Sequence, residues 1–289
     1  MTPEVKTAVG AALGAEVVAA SPLAGGDINQ AYRVELSDGR RAFVKTNRGT
    51  DPRMFPREAE GLAWLAEPGA IRLPEVLAFS GEGDDDPQYL ILELVEAKGR
   101  APDYDERLGR ELAALHRAGA PDFGLDRDNF IATLVQENTP ASSWPEFYAL
   151  RRLEPQVRLA VDRGRAPSAW AHRFERLFGR LEELAGPEEP PARLHGDLWS
   201  GNLHADERGA PVLIDPAVYG GHREIDLAML ELFGGPGPRF WAAYDDAYPI
   251  ADERKDRVRL YQLYPLLVHV NLFGGSYVSS VDGALSRYV

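Results

Sequence analysis

Apolar positions recur with period two in the first third of the chain and with a helical period beyond it. Residues 31–36 (AYRVEL) and 41–46 (RAFVKT) read as strands. Ser37-Asp38-Gly39-Arg40 between them carries the Asp-Gly signal of a tight hairpin. Residues 76–79 and 89–95 (YLILELV) are further strand candidates. Between them Phe55, Ala59, Leu62 and Leu65 share one helical face, which predicts a helix over residues 55–66. One helix among antiparallel strands predicts an α+β lobe.

From about residue 103 the pattern is helical, and Leu108, Leu112 and Leu115 mark one amphipathic face. Residues 144–164 and 168–185 read as helices. Pro155 predicts a kink or break in the first, because its ring removes a donor and crowds the preceding turn. Gly186, Pro187, Pro190 and Pro191 end the run. Short apolar pieces follow at 192–195 and 212–214, and the helical pattern resumes from Glu224. No internal repeat occurs, and the one biased segment is an acidic loop at 82–86. The change of period places a junction near residues 95–99, so the expected division is 1–95, a sheet-rich lobe, and 96–289, a mainly helical lobe.

Composition narrows the partners. The 289 residues are 44% hydrophobic and 27% charged, ordinary for a globular chain long enough to bury a sizeable core. Acidic residues number 45 against 32 basic ones, a net charge of −13. That balance argues against nucleic acid or an anionic membrane as the main partner. It leaves room for a phosphate ligand held locally by N–H groups, a lysine and a cation. With no cysteine, disulfides, thiolate catalysis and cysteine-ligated zinc are excluded. No apolar run of membrane-spanning length and no signal-peptide pattern at residues 1–13 are visible, so a cytoplasmic protein is expected.

Candidate chemistry centres on His195-Gly196-Asp197-Leu198-Trp199-Ser200-Gly201-Asn202. Asp197 and Asn202 stand five apart, a spacing that lets a loop aim a carboxylate at a substrate hydroxyl while an amide oxygen turns to a metal. Thirteen residues later Val212-Leu213-Ile214-Asp215-Pro216 ends an apolar strand in a carboxylate. Asn and Asp oxygens are hard ligands suited to Mg²⁺, which takes the rest of its shell from water and phosphate. The pattern H-G-D-x-x-x-x-N arises by chance in roughly one chain of this length in a thousand. Two turn-capping residues at this spacing, followed by a strand-end Asp, are therefore the weaker explanation. ATP- and Mg²⁺-dependent phosphoryl transfer is the expected chemistry, with Asp197 as catalytic base and Asn202 and Asp215 on the metal. His195 is expected to hold the loop by packing and hydrogen bonding.

Upstream residues complete the set. Lys45, on an apolar strand, needs an anion if it faces inward, and an ATP phosphate with a carboxylate would supply one. Glu58 starts the only predicted helix of that lobe and is the natural carboxylate. Its competitor Glu60 faces roughly 200° away around the helix. Gly25 and Gly26 precede a strand, where bare backbone N–H groups can approach phosphate, although a plain turn explains them equally well. Trp199 has two open readings, a ring face for the C–H side of a sugar or a buried anchor using its indole N–H. His116 reads as a satisfied helix-end histidine. His222 and Arg223 are either a substrate contact or a structural loop. The aromatic run at 268–277 (VHVNLFGGSY) either lines the substrate cleft or packs in the core.

Five segments give a family resemblance: residues 25–32 (GGDINQAY), 128–131 (DNFI), 144–160 (WPEFYALRRLEPQVRLA), 195–202 (HGDLWSGN) and 215–229 (DPAVYGGHREIDLAM). Together they resemble the fructosamine-3-kinase, or ketosamine kinase, family within the kinase-like fold of aminoglycoside and choline phosphotransferases. The resemblance implies a bilobed protein-kinase-like fold with a nucleotide-binding lobe at 1–95 and a helical lobe carrying the catalytic loop and substrate site at 96–289. It implies ATP-dependent phosphorylation of the 3-hydroxyl of a ketosamine, a glycated amine. It implies that Lys45 contacts the α- and β-phosphates and pairs with Glu58, that the backbone of Glu93 to Val95 is the adenine hinge, and that Asp226 braces the catalytic loop. Asp27 departs from a longer glycine-rich pattern, because a carboxylate near phosphates is unfavourable without a cation or donor. Two alternatives stand beside this reading. One is another small-molecule kinase of the same fold, acting on an aminoglycoside, choline or homoserine, against which Trp199 and residues 128–131 argue. The other is a non-catalytic, pseudokinase-like binding protein, against which the intact Lys45, Asp197, Asn202 and Asp215 argue.

Overall fold

The structure, a computed structural model, describes residues 1–23, 29–83, 87–96 and 98–289. It comprises two compact units, Met1–Tyr104 with Leu203–Pro216, and Asp105–Asn202 with Ala217–Val289.

The first unit opens with α1 (Pro3–Leu13), capped by Thr2, whose hydroxyl accepts from the Val5 N–H. Strands β1 (Val17–Leu23), β2 (Gln30–Leu36) and β3 (Arg41–Asn47) follow, then α2 (Met54–Ala66), β4 (Val76–Phe79) and β5 (Gln88–Glu93). The sheet order is β1-β2-β3-β5-β4, antiparallel throughout. The expected Asp-Gly turn joins β2 to β3, with the Leu36 N–H donating to the Arg40 carbonyl at 2.9 Å.

Period-two alternation gives this sheet two apolar faces, and a helix covers each. On one face Val5 and Val9 of α1 pack with Val34, Ala42, Val44 and Ile91. On the other, Phe55, Ala59 and Leu62 of α2 pack with Leu90, Leu92 and Phe43. Each fully buried Leu or Phe contributes about 1.5–3 kcal/mol. The helix expected in this region is α2. Helix α1 adds a second, which the pattern did not announce because only Val5 and Val9 are buried on it. Lys45 shares its strand parity with Phe43, which places it on the α2 face.

The second unit begins along α3 (Tyr104–Ala118), where Leu108, Leu112 and Leu115 are buried as their spacing predicts. The hairpin β6 (Asn129–Ile131) and β7 (Leu134–Gln136) precedes α4 (Trp144–Phe147), a π-helical turn at Tyr148–Leu153 and α5 (Glu154–Asp162). The break expected at Pro155 therefore appears one turn earlier. Pro155 cannot donate, and its ring crowds the carbonyl four residues back, so the preceding backbone adopts the wider spacing. The single helix expected over 168–185 is two, α6 (Ala169–Phe178) and α7 (Leu181–Leu184), parted at Gly179, the weakest helix former in the segment.

After β8 (Ala192–Leu194) the chain forms the loop at 195–202 and then the hairpin β9 (Leu203–Ala205) and β10 (Pro211–Leu213). This hairpin belongs to the first unit. The Leu213 N–H donates to the Arg72 carbonyl at 3.0 Å, and the Tyr104 hydroxyl donates to the His204 carbonyl at 2.9 Å. Arg72 also donates to Asp206 at 2.8 Å and to Glu93 at 2.6 Å. The boundary expected at 95/96 follows chain order, whereas the compact units return residues 203–216 to the sheet-bearing one. Strand β11 (Tyr219–Gly221) pairs antiparallel with β8, and α8 (Glu224–Leu232), α9 (Pro238–Ala247), α10 (Arg254–Phe273) and α11 (Val278–Leu285) complete the second unit. Its core includes Trp144, Phe147, Trp170, Phe174, Tyr219 and Leu267.

Candidate active site

The first unit brings together three of the residues singled out in the sequence. Lys45 lies on β3, the middle strand, paired with Ala31 and Leu90 across its two neighbours, and is 6% exposed. A buried ammonium must be paired. Its Nζ donates to Glu58 Oε1 and to Asp215 Oδ1, each at 2.6 Å. Burial works against the Lys45 charge, but Glu58 and Asp215 overcome it and hold the pKa above the ordinary lysine value. Burial, with the nearby Asp215, pushes the Glu58 carboxyl up, and Lys45 opposes that shift. Glu60 is exposed and bonds to Arg57 at 2.8 Å, so Glu58 is the lysine's helix partner.

Asp215 follows β10 with φ 55°, one of two non-glycine residues with positive φ among those described. Asp tolerates this region better than most side chains, and such backbones cluster at functional sites. Its side chain is 45% exposed. Two carboxylates on one ammonium leave an excess of negative charge. That excess suits a divalent cation. Among the described residues no three His, Asp or Glu side chains form a protein-only metal cage. Carboxylate oxygens are hard donors of the kind that suit Mg²⁺, which needs few protein ligands.

The second unit brings together the residues of the 195–202 loop. Asn202 Nδ2 donates to the Asp197 carbonyl at 2.8 Å and to Asp197 Oδ2 at 3.2 Å. With its nitrogen turned to Asp197, the amide presents its oxygen on the opposite side. His195 is fully buried, and its Nδ1 accepts from the Asp197 N–H at 3.3 Å. The His195 and Gly196 N–H groups donate to the two oxygens of Asp226, at 2.8 and 2.9 Å. Asp226 is fully buried and also meets His116 Nε2 at 3.2 Å, while His116 Nδ1 contacts the Tyr244 hydroxyl at 2.7 Å. His116 is thus a satisfied helix histidine whose partner is the loop's brace. Gly196 has φ 82°, and a Cβ there would stand 2.0 Å from the Ala217 carbonyl oxygen, so no other residue fits.

Trp199 is 38% exposed, which removes the buried-anchor reading. Its indole lies over Gly201, where a Cβ would come within 2.3 Å of the ring, and meets Phe233 edge-on at 6.0 Å. Phe233 continues to His269, which contacts Phe273 and Tyr277. Part of the aromatic run therefore forms a half-exposed cluster with Trp199, while Val268 and Val270 pack in the core. His222 and Arg223 are buried, and Arg223 grips Glu189 through two hydrogen bonds of 2.9 and 2.7 Å, so this segment is a structural loop.

Glu93 ends β5, with its N–H donating to the Glu75 carbonyl at 2.8 Å and its carboxylate held by Arg72. Val95, two residues on, is half-buried. Gly25, Gly26 and Asp27 lie outside the described residues. Sequence reasoning did not find Arg72, a lone arginine between apolar residues with no motif around it.

Comparison with known proteins finds relatives over nearly the whole chain. The fructosamine kinase family profile matches residues 1–289. A probable ketoamine kinase from Enterococcus faecium is 40% identical over 270 residues, covering 92% of this chain and 94% of that protein. A chloroplastic protein-ribulosamine 3-kinase from Arabidopsis thaliana is 39% identical, covering 92% of this chain and 81% of its own. A Thermobifida fusca protein whose crystal structure carries the fructosamine-3-kinase name superposes with TM-score 0.90 at 40% identity, covering 100% of this chain and 99% of that one. At 16% identity, an aminoglycoside phosphotransferase and the choline kinase of Streptococcus pneumoniae share the fold alone, with TM-scores of 0.63 and 0.66 over 99% and 98% of this chain. The fold is kinase-like, and this chain belongs to the fructosamine kinase family.

Proposed function

We propose that this protein is an ATP-dependent kinase that phosphorylates the 3-hydroxyl of ketosamines, sugars joined to an amine as in glycated lysine. The observation that carries the reading is the bonded pair Asp197–Asn202, inside the HGDLWSGN loop of a chain that belongs to the fructosamine kinase family. In this reading Lys45 binds the α- and β-phosphates of ATP, and Glu58 keeps its ammonium in place. The backbone from Glu93 to Val95 takes the adenine, with the Glu93 N–H already committed to Glu75. Gly25 and Gly26 let backbone approach the phosphates. Asn202 and Asp215 would hold Mg²⁺, which when bound neutralises charge on the phosphate oxygens.

Asp197 orients the 3-hydroxyl and accepts its proton. The hydroxyl oxygen forms a bond to the γ-phosphorus, the bond from that phosphorus to the β–γ bridging oxygen breaks, and ADP leaves. A general base of this kind is worth about 10²–10⁴-fold. Trp199 offers a ring face to the C–H side of the sugar. Among the described residues no helix is long and apolar enough to cross a membrane. The reading places the enzyme in the cytoplasm, where ATP is available.

The test is an acceptor screen with ATP and Mg²⁺, using fructosyl-, ribulosyl- and erythrulosyl-amines beside choline and an aminoglycoside. ADP release with phosphate on O3 of a ketosamine, located by NMR, is the expected result. Turnover confined to choline or an aminoglycoside would overturn the acceptor assignment. No turnover with any acceptor would return the binding-protein reading.

A further inference from the structure

The 128–131 segment (DNFI) and Arg152, one of two arginines in the π-helical turn, carry no step of the proposed reaction. Arg152 is fully buried and forms no ion pair among the described residues. Its Nη1 donates to the carbonyls of Glu137 at 2.6 Å and Arg151 at 3.0 Å. Its Nη2 donates to Asn138 Oδ1 at 2.6 Å. The guanidinium lies 3.8 Å from the ring centre of Tyr219 and 4.6 Å from that of Phe147. A buried cation held only by neutral oxygens and aromatic faces is costly, so its retention calls for a physical reason.

That reason is visible in the amides beside it. Arginine has only donors, so Asn138 must present its oxygen to it, and Asn138 Nδ2 then donates to Asn129 Oδ1 at 2.9 Å. With its oxygen so occupied, Asn129 turns Nδ2 to the Val218 carbonyl at 2.8 Å. Gln136 Nε2 donates to the same Asn129 oxygen at 2.8 Å and to the Ala217 carbonyl at 3.0 Å, and its Oε1 accepts from the Tyr264 hydroxyl at 2.7 Å. Asn129 and Gln136 are therefore oriented with their donor ends on residues 217–218, while Asn138 Nδ2 is shared between Asn129 and the Arg127 carbonyl at 3.2 Å, and the cation at the far end fixes the direction of the relay.

Residues 217–218 in turn set the catalytic loop. The Ala217 N–H donates to the His195 carbonyl at 2.9 Å. The Ala217 carbonyl is the atom against which Gly196, the residue before Asp197, is pressed. We infer that Arg152, acting through Asn138, Asn129 and Gln136, is a positioning residue that fixes the Ala217–Val218 peptide and with it the catalytic loop carrying Asp197. The inference rests on the assignment of Asp197 as the base.

The test uses the full chain with Arg152→Met and, separately, Gln136→Met, which removes only the amide nearest the loop. With ATP and a ketosamine that the wild type phosphorylates, kcat is expected to fall about 10- to 100-fold while the KM for ATP stays at the wild-type value, the scale expected for a small misplacement of a catalytic group. Hydrogen exchange is expected to quicken in peptides spanning 193–197 and 216–219 and to remain unchanged along α6. Unchanged kcat in folded variants, or exchange that quickens evenly throughout the second unit, would overturn the inference. If Arg152→Met does not fold, Gln136→Met decides. A wild type without ketosamine turnover would sink the functional reading instead, and the exchange pattern would still decide whether Arg152 fixes the loop.

Discussion

Lys45 Nζ lies 2.6 Å from Asp215 Oδ1, although the two residues are 170 positions apart in the chain. The contact exists because the hairpin that delivers Asp215 is bonded to Arg72 and Tyr104 of the unit that carries Lys45. The same nitrogen meets Glu58 at the same distance, so one ammonium serves two carboxylates.

Asp215→Ala is expected to abolish turnover, with no recovery across a Mg²⁺ titration. The fold should survive, because Asp215 is exposed and Lys45 keeps Glu58. Activity restored at high Mg²⁺, or a large drop in Tm, would contradict the metal role.

Asp197→Asn is expected to lower kcat by about 10²–10⁴-fold while ATP binding is retained. The change keeps the side chain's size and removes its basicity. Near-normal turnover in single-turnover assays would exclude Asp197 as the base.

Trp199→Phe is expected to raise the KM for ketosamine about 5- to 10-fold, or roughly 1–1.4 kcal/mol, with the KM for ATP unchanged. Gly201→Ala should act in the same direction, because the added Cβ would displace the indole that lies 2.3 Å from its position. An equal rise in both KM values would point to a general disturbance of the loop.

His222 governs an expected pH dependence of stability. Burial depresses its pKa below the ordinary value, helped by Arg223 and Arg257 and opposed by Glu224 and Glu189. The unfolded chain then binds a proton that the folded one refuses, so stability falls as pH drops below about 6.5, by at most about 1.4 kcal/mol per pH unit. His222→Phe, which preserves the ring stacked on Tyr261, should flatten Tm between pH 7 and 5. Flattening will be partial, since burial depresses His269 in the same sense. An unchanged slope in the variant would exclude His222 as a contributor.

Much of the fold was legible because it is local. The β2–β3 hairpin depends on four consecutive residues and two alternating runs. The buried face of α2 depends on residues one turn apart. Helix α1 was missed because two buried valines make too short a pattern, and the split at Gly179 because propensity is a small term that the neighbouring apolar residues obscured.

By itself the sequence determined the strand and helix periods, the Asp197–Asn202 loop, the strand-end Asp215 and the family to which they point. These are matters of spacing, and spacing survives in one dimension. Only the tertiary structure decided that Lys45 is shared by Glu58 and Asp215, that residues 203–216 join the sheet-bearing unit, and that Trp199 is exposed. It alone revealed Arg152 behind the 195–202 loop. A buried charge is satisfied by whatever the fold brings within hydrogen-bond reach, and its partners Asn138, Asn129 and Gln136 meet the Ala217–Val218 peptide some 80 residues away through contacts no local pattern encodes.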